Sequence, residues 1–270
     1  MRQVGSIVMA AGRGSRMKGF EGTKTLLPLV PSYSPYHGTR PILIHILSCL
    51  PSGPKALIVN YEKDAIIEAT RAYDLTYCEQ PVLNGTGGAL LAALSFIETA
   101  DCRDLIITMG DVPLVRPETY LGLTEALSSS VFVVLGFRPQ DKRQYGALEI
   151  EDHRVKRIIE WKYWRTLPEE RQALMKVFNS GIYAARREEL LRCVPRLASR
   201  PHTVLKERMG EQVKLEEFFI TDLVELLEED GRSVGFIVAA DEDEVMGVDD
   251  LTALTRAQKV YRHRTSLPFS

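Results

Sequence analysis

The run Ile7-Val8-Met9-Ala10-Ala11-Gly12-Arg13-Gly14-Ser15-Arg16-Met17 decides how this chain is read. An apolar segment of strand length feeds a loop with glycines at alternate positions, and Lys24 follows within reach, ahead of Pro28. Such a loop can turn bare backbone N–H groups and two or three cationic side chains onto a polyphosphate. The charge distribution agrees. Residues 1–61 carry seven Lys/Arg against the single acid Glu21, a local +6, so a chain total of −2 leaves −8 on the remainder. A basic front on an otherwise acidic chain suggests a local anion site, whereas a nucleic-acid surface usually needs a basic domain overall.

Spacing excludes two common phosphate loops. A dinucleotide fingerprint needs glycine where Met17 stands and an acid about 20 residues further on. No Asp or Glu lies between Glu21 and Glu62. The ATP-type loop ending in Gly-Lys-Ser/Thr fails because Gly19 is followed by Phe20 and Glu21. What remains is G-x-G-x-R with Lys24 eight residues beyond Arg16. On this loop alone, an ordinary glycine-rich strand-to-helix turn stays open.

Outward from the loop, strand-like runs at 6–10, 56–60, 105–109 and 131–137 alternate with helical patterns at 41–50, 63–72, 86–99 and 117–127. This rhythm predicts an α/β fold, a Rossmann-like, mostly parallel mixed sheet with helices on both faces. Such sheets bind ligands beyond the carboxyl ends of their strands, where the glycine loop and Gly110-Asp111-Val112-Pro113 both fall. The second half predicts a hairpin, 145–150 with 155–160, turning at 151–153. A polar helix at 168–175 and a strand at 177–184 follow, then a helix at 221–229 ending at Gly231 and a strand at 234–240. A closing helix at 249–262 has Asp249 or Asp250 near its N-cap. Residues 31–40 and 195–214 read as irregular polar loops.

The chain is 45% hydrophobic and 26% charged, and no apolar run approaches the roughly 18–20 residues that span a bilayer. The N-terminus has no leader pattern, so a cytoplasmic protein with neither membrane nor nucleic-acid partner is expected. Cys49, Cys78, Cys102 and Cys193 lie far apart without a C-x-x-C pair, which argues against zinc and against a disulfide framework.

Other motifs add chemistry. Gln80, before Asn84-Gly85-Thr86-Gly87-Gly88, offers an amide to a nucleobase edge, and the glycines permit close backbone approach. The alternative is a turn with Thr86 as N-cap. Asp111 ends an apolar strand, where a carboxylate can anchor Mg²⁺ together with substrate phosphates, or simply open a turn. Tyr145-Gly146-Ala147, Glu160-Trp161-Lys162, Asn179-Ser180-Gly181-Ile182-Tyr183 and Gly247-Val248-Asp249 complete the set. Alone, Glu160 and Lys162 suit a solvated hairpin face.

In order and spacing these motifs, with Glu217-Phe218-Phe219-Ile220-Thr221-Asp222 and Glu244-Val245-Met246, resemble the sugar-nucleotide pyrophosphorylases, a nucleotidyltransferase family. The likeness runs from about residue 5 to 262. It is strongest to the N-terminal uridyltransferase domain of the bacterial bifunctional N-acetylglucosamine-1-phosphate uridyltransferases. The resemblance implies that Ala11, Gly12 and Gly14 line the nucleotide, and that Gln80, Gly85 and Thr86 read its base. Arg16 and Lys24 are the implied catalytic cations, on the leaving pyrophosphate and the reacting phosphates. Asp111 and Asp249 would bind Mg²⁺. Gly146, Glu160 and Asn179 would contact the sugar, with Lys162 near its phosphate.

The implied organisation is one nucleotidyltransferase domain over 1–262, with a nucleotide half at about 1–140, a sugar half at about 141–262 and a tail at 263–270. The β-helix acetyltransferase domain of the bifunctional enzymes is expected to be absent. The implied reaction joins an NTP to a sugar 1-phosphate with release of pyrophosphate, UTP and N-acetylglucosamine 1-phosphate being the first choice. One departure opens the alternatives: uridyltransferases of this kind usually carry Asn at the place of Asp249, and thymidylyl- and guanylyl-transferring relatives often carry Asp. The same chemistry with dTTP, CTP or GTP and another phosphorylated sugar or polyol is the second reading. A non-catalytic nucleotide-sugar sensor is the third, and it predicts loss of the cations and carboxylates that are present here. Residues 31–40 look like an insertion relative to the family.

Overall fold

The apolar run before the glycine loop forms the central strand, β1 (Val4–Met9), in a computed structural model that describes residues 3–12, 14, 17, 20–208 and 211–265. After it come β2 (Pro28–Ser34), β3 (His37–Pro41), α1 (Ile42–Cys49), β4 (Lys55–Val59), α2 (Lys63–Thr70) and β5 (Thr76–Glu79). The chain continues through α3 (Gly85–Ala92), α4 (Leu94–Thr99), β6 (Asp104–Met109), α5 (Pro117–Ala126) and β7 (Phe132–Phe137). The second half holds β8 (Ala147–Glu151), β9 (Arg154–Ile159), α6 (Trp161–Trp164), α7 (Glu169–Leu174), β10 (Phe178–Arg186) and α8 (Arg187–Leu197). It ends with β11 (His202–Arg208), β12 (Glu211–Glu217), α9 (Asp222–Glu229), β13 (Val234–Val238) and α10 (Leu251–Thr265).

The main sheet runs β13-β7-β10-β6-β1-β4-β5, with the β8–β9 hairpin attached through β10. Six of the seven strands in this row are mutually parallel, and β10 runs against its neighbours β6 and β7. Alternate residues face opposite layers. Ile7, Ile58, Ile107 and Val134 pack under α3, α4, α8 and α9, through Leu90, Phe96, Val194 and Leu223. Val8, Leu57, Ile106 and Val133 pack on the other side with Ile46 of α1, Leu123 of α5 and Leu254 of α10. Burial on both faces is why these strands read as continuous apolar runs rather than as alternation. The mixed, mostly parallel sheet with helices on both faces is the architecture the sequence predicts.

Several elements differ from the sequence reading. Residues 31–40 are not a loop but most of a two-stranded ribbon, β2 with β3. The buried Gln258 of α10 donates to the carbonyls of Pro28 and Pro35, each at 2.8 Å, and Arg262 donates to Pro31. Residues 195–214 likewise hold the end of α8 and a hairpin, whose register runs from His202↔Glu217 to Arg208↔Glu211. The helix predicted at 86–99 breaks at Ala93 into α3 and α4 (φ −87°, ψ 2°). β5 was not expected; only Cys78 of its four residues is buried.

Candidate active site

The glycine loop, Asp111 and Gln80 follow the carboxyl ends of β1, β6 and β5, and Asn179 lies near the start of the reversed strand β10. One edge of the sheet therefore collects most of the sequence-predicted residues. Arg16 lies outside the described residues. Ala11 is buried, Gly12 is exposed and Gly14 lies between. Gly14 sits at φ +64°, and a Cβ there would stand 3.2 Å from Cγ and Cδ of Lys24. Gly14 therefore rests on the aliphatic stem of Lys24.

The central finding is the position of the Lys24 ammonium. It is ion-paired with the Asp111 carboxylate and, at 2.8 Å, with Asp249 Oδ1. Lys24 starts a 3-10 turn, Lys24–Leu26, that sinks its stem into the protein; only 11% of its side chain is exposed. Burial lowers its pKa, but the two carboxylates outweigh that and hold it above the ordinary lysine value. The Val248 N–H donates to the Asp111 carbonyl at 2.8 Å, tying the two carboxylate-bearing segments side by side. Asp250, not Asp249, caps α10, its carboxylate accepting from Ala253 N–H at 2.8 Å. Adjacent acids thus divide the work: one starts the helix and the other faces Lys24. Beside them opens a cavity of about 360 Å³ lined by Asp111, Asp249, Met109, Ser180, Tyr145 and Arg143. Sequence reasoning did not single out Arg143; its place beyond the end of β7 was the available signal.

The predicted base-reading residues form a second group. Gln80 is buried, and its amide Nε2 donates to Asn84 Oδ1 and to the Gly85 carbonyl, both at 3.1 Å. Its donors thus hold the loop, and Oε1 is the atom it can turn to a ligand. Gly85 sits at φ +93°, where a Cβ would meet the Phe218 carbonyl at 2.4 Å. That approach lets Gly87 N–H donate to Phe218 O at 2.8 Å, and Thr86 Oγ1 accept from Ile220 N–H at 3.2 Å.

The segment after β12 joins this group to a third. The Thr221 hydroxyl donates to Glu160 Oε1 at 3.0 Å. Asn179 N–H donates to Gly146 O at 2.8 Å, and Asn179 itself is fixed by Gly181 N–H and by the Tyr183 hydroxyl. Glu160 Oε2 stands 3.7 Å from where a Gly146 Cβ would be, so Gly146, Glu160 and Asn179 share one wall. The Lys162 ammonium lies over the rings of Tyr163 and Phe219, at 4.7 and 5.3 Å from their centroids.

Burial pushes the Glu160 carboxyl up, and the Thr221 hydroxyl and Lys162 offset this only in part. A raised folded-state pKa contributes stability that is present below the unfolded carboxylate range and is lost as pH rises through the folded value. Glu160→Gln is therefore expected to raise Tm by roughly 2–4 °C at about pH 7.5, an effect of order 1 kcal/mol. The gain should disappear at about pH 4 and below, where the acid is protonated in both states. Calorimetry of both proteins across that range checks it; a gain independent of pH would show that the charge is not its source.

The chain matches the MobA-like NTP transferase domain model over residues 6–169, more than half its length. It is 30% identical over 266 residues to the bifunctional protein GlmU of Cereibacter sphaeroides, an alignment covering 97% of this chain and 53% of that protein. The chain thus spans about half the length of the curated relatives it matches. The Trypanosoma brucei uridine diphosphate N-acetylglucosamine pyrophosphorylase superimposes with a TM-score of 0.74 at 12% identity, covering 96% of this chain and 64% of the other. The CTP complex of CMP:2-keto-3-deoxy-manno-octonic acid synthetase gives 0.64 at 14% identity, covering 97% and 99%. These two share its fold. The family model, over more than half of the chain, defines a nucleotidyltransferase. The chain belongs to the MobA-like NTP transferase family. No helix among the described residues is long and apolar enough to cross a membrane.

Proposed function

We propose that this chain transfers a nucleotidyl group from an NTP to a sugar 1-phosphate and releases pyrophosphate, with UTP and N-acetylglucosamine 1-phosphate as the preferred pair. The observation that carries the reading is the Lys24–Asp111–Asp249 cluster at the strand ends. The second and third groups, joined through residues 217–222, supply a base wall and a sugar wall. The motif resemblance to the bacterial bifunctional uridyltransferases is what favours these substrates, and the 30% identical relative is itself named a bifunctional protein.

Two carboxylates converging on one cation suit Mg²⁺, which takes one or two protein carboxylates and fills its remaining positions with phosphate oxygens and water. When bound, Mg²⁺ would neutralise charge on the phosphoryl oxygens of the nucleotide. An oxygen of the sugar phosphate attacks the α-phosphorus in line, and the bond to the leaving pyrophosphate breaks. That nucleophile is already anionic, so no residue has to act as general base. The chain's task is positioning and charge neutralisation by Lys24, Arg16 and the loop N–H groups. Glu160 and Asn179 face the sugar hydroxyls, with Lys162 toward its phosphate, and Gln80 and Thr86 face the base.

The test is a panel of UTP, CTP, dTTP and GTP against several sugar 1-phosphates, read as Mg²⁺-dependent pyrophosphate release with the product identified by mass. UTP with N-acetylglucosamine 1-phosphate is expected to lead by about tenfold or more, a transition-state difference of about 1.4 kcal/mol. A different leading pair would revise the substrates and keep the reaction. Nucleotide binding without turnover on any pair would replace the enzyme by a sensor.

A further inference from the structure

A fully buried acid, Glu244, lies outside this chemistry. It sits in the 3-10 turn Glu242–Val245, just before the Asp249 segment. Its Oε1 accepts from the backbone N–H of Arg116 at 3.1 Å and from the hydroxyl of Thr119. Among the described residues its Oε2 has no hydrogen-bond partner, and it faces Arg116 Nε at 4.0 Å. Arg116 also reaches Asp241 at 2.8 Å, and Asp241 accepts from the Glu244 N–H at 2.9 Å. A buried carboxylate with an unbonded oxygen is costly, so helix capping alone is a poor reason to keep one.

The chain path supplies another reason. Residues 111–116 and 244–249 form two arms of equal length, and each ends in one of the two carboxylates that flank Lys24. At the far end the arms are joined by Glu244 to Arg116 and Thr119. At the near end they are joined by Val248 N–H to Asp111 O and by Lys24. The geometry points to Glu244 as a positioning residue: it clamps the two arms and thereby sets the separation of Asp111 and Asp249. This rests on the reading that those carboxylates hold a divalent cation.

The experiment compares wild type with Glu244→Gln, which keeps the volume and an acceptor oxygen but removes the charge. Thr119→Val, which removes one donor and leaves the carboxylate in place, serves as the milder variant should Glu244→Gln fail to fold. Hydrogen exchange at the Val248 amide, without metal or nucleotide, is expected to quicken about tenfold in Glu244→Gln and about threefold in Thr119→Val, with β1 amides unchanged. Mn²⁺ binding in the presence of UTP, followed by paramagnetic resonance, is expected to weaken about tenfold in Glu244→Gln, the usual scale for groups that orient a metal's ligands. Turnover at saturating metal should recover to within about twofold, so that the effect falls on metal affinity and spares kcat. Unchanged protection at Val248, or equal loss of protection in β1, overturns the clamp. If wild type with UTP binds no Mn²⁺, the proposed function fails instead, and the exchange measurement alone decides the role of Glu244.

Discussion

Asp111→Asn is expected to lower Mg²⁺-dependent pyrophosphate release by about 10²–10³-fold, the range found when one electrostatic stabiliser is removed from a transition state. Asn keeps the size of the side chain and one acceptor oxygen, so the strand end should hold its shape. The backbone carbonyl of residue 111 still accepts from Val248 N–H, and Lys24 still pairs with Asp249. What disappears is one of the two negative charges that converge on the cation position. Nucleotide affinity measured without metal should stay within about threefold, because Gln80, Gly85 and the glycine loop are untouched. Stability should change by about 1 kcal/mol or less, since 24% of the Asp111 side chain already meets solvent. Pyrophosphate release, metal-free nucleotide binding and calorimetry on the same preparation separate these effects. Near-wild-type turnover would remove Asp111 from the mechanism, and a collapse of Tm would move its role to folding.

The fold was legible where burial is two-sided. β1 and β6 stand out as apolar runs because helices cover both faces of the sheet, and the helices between them show a 3.6 period against that background. The ribbons were not legible, for a physical reason. β2 and β3 are rich in proline and serine, and apart from Leu29 and Val30 they send few apolar side chains to the core. They are held by Gln258 and Arg262, more than 220 positions away, through hydrogen bonds that no local pattern encodes. In β11 and β12 six of the seven cross-strand pairs include a charged residue, so their pattern matches that of a solvated loop.

The site divides in the same way. Glycines at 14 and 85 mark backbone that must curl or come close, and such needs show in sequence. The meeting of Lys24 with Asp111 and Asp249 does not, because it closes across the sheet between residues 225 positions apart. Glu244 entered the sequence reading only as a letter in a motif. Its burial and its bond to Arg116 give that letter a physical reason.

Lys24→Met is expected to produce two effects that a simple phosphate contact would not couple. Turnover should fall by about 10²-fold or more, from loss of a cation at the reacting phosphates. The protein without ligands should also lose stability, because Asp111 and Asp249 then face each other with no cation between them. Removing one partner of a fully buried ion pair costs about 3–5 kcal/mol. Here the Asp111 and Asp249 side chains are 24% and 43% exposed, and water relieves part of the repulsion. A loss of about 1–3 kcal/mol is the fitting expectation, roughly 2–9 °C in Tm for a chain of this size. Met preserves the packing of the lysine stem under Gly14, so the loss reports charge rather than a cavity. Divalent cation should then take the place of the ammonium. Mg²⁺ or Mn²⁺ without nucleotide is expected to stabilise Lys24→Met more than wild type, by about 1.4 kcal/mol at ten times the dissociation constant. In wild type Lys24 competes for the same carboxylates, so the cation should bind well only when nucleotide phosphates arrive with it and draw the ammonium to themselves. A thermal-shift series in Mg²⁺, with and without UTP, measures both halves. If Lys24→Met shows wild-type stability and no added response to the cation, the ammonium and the metal do not share the site.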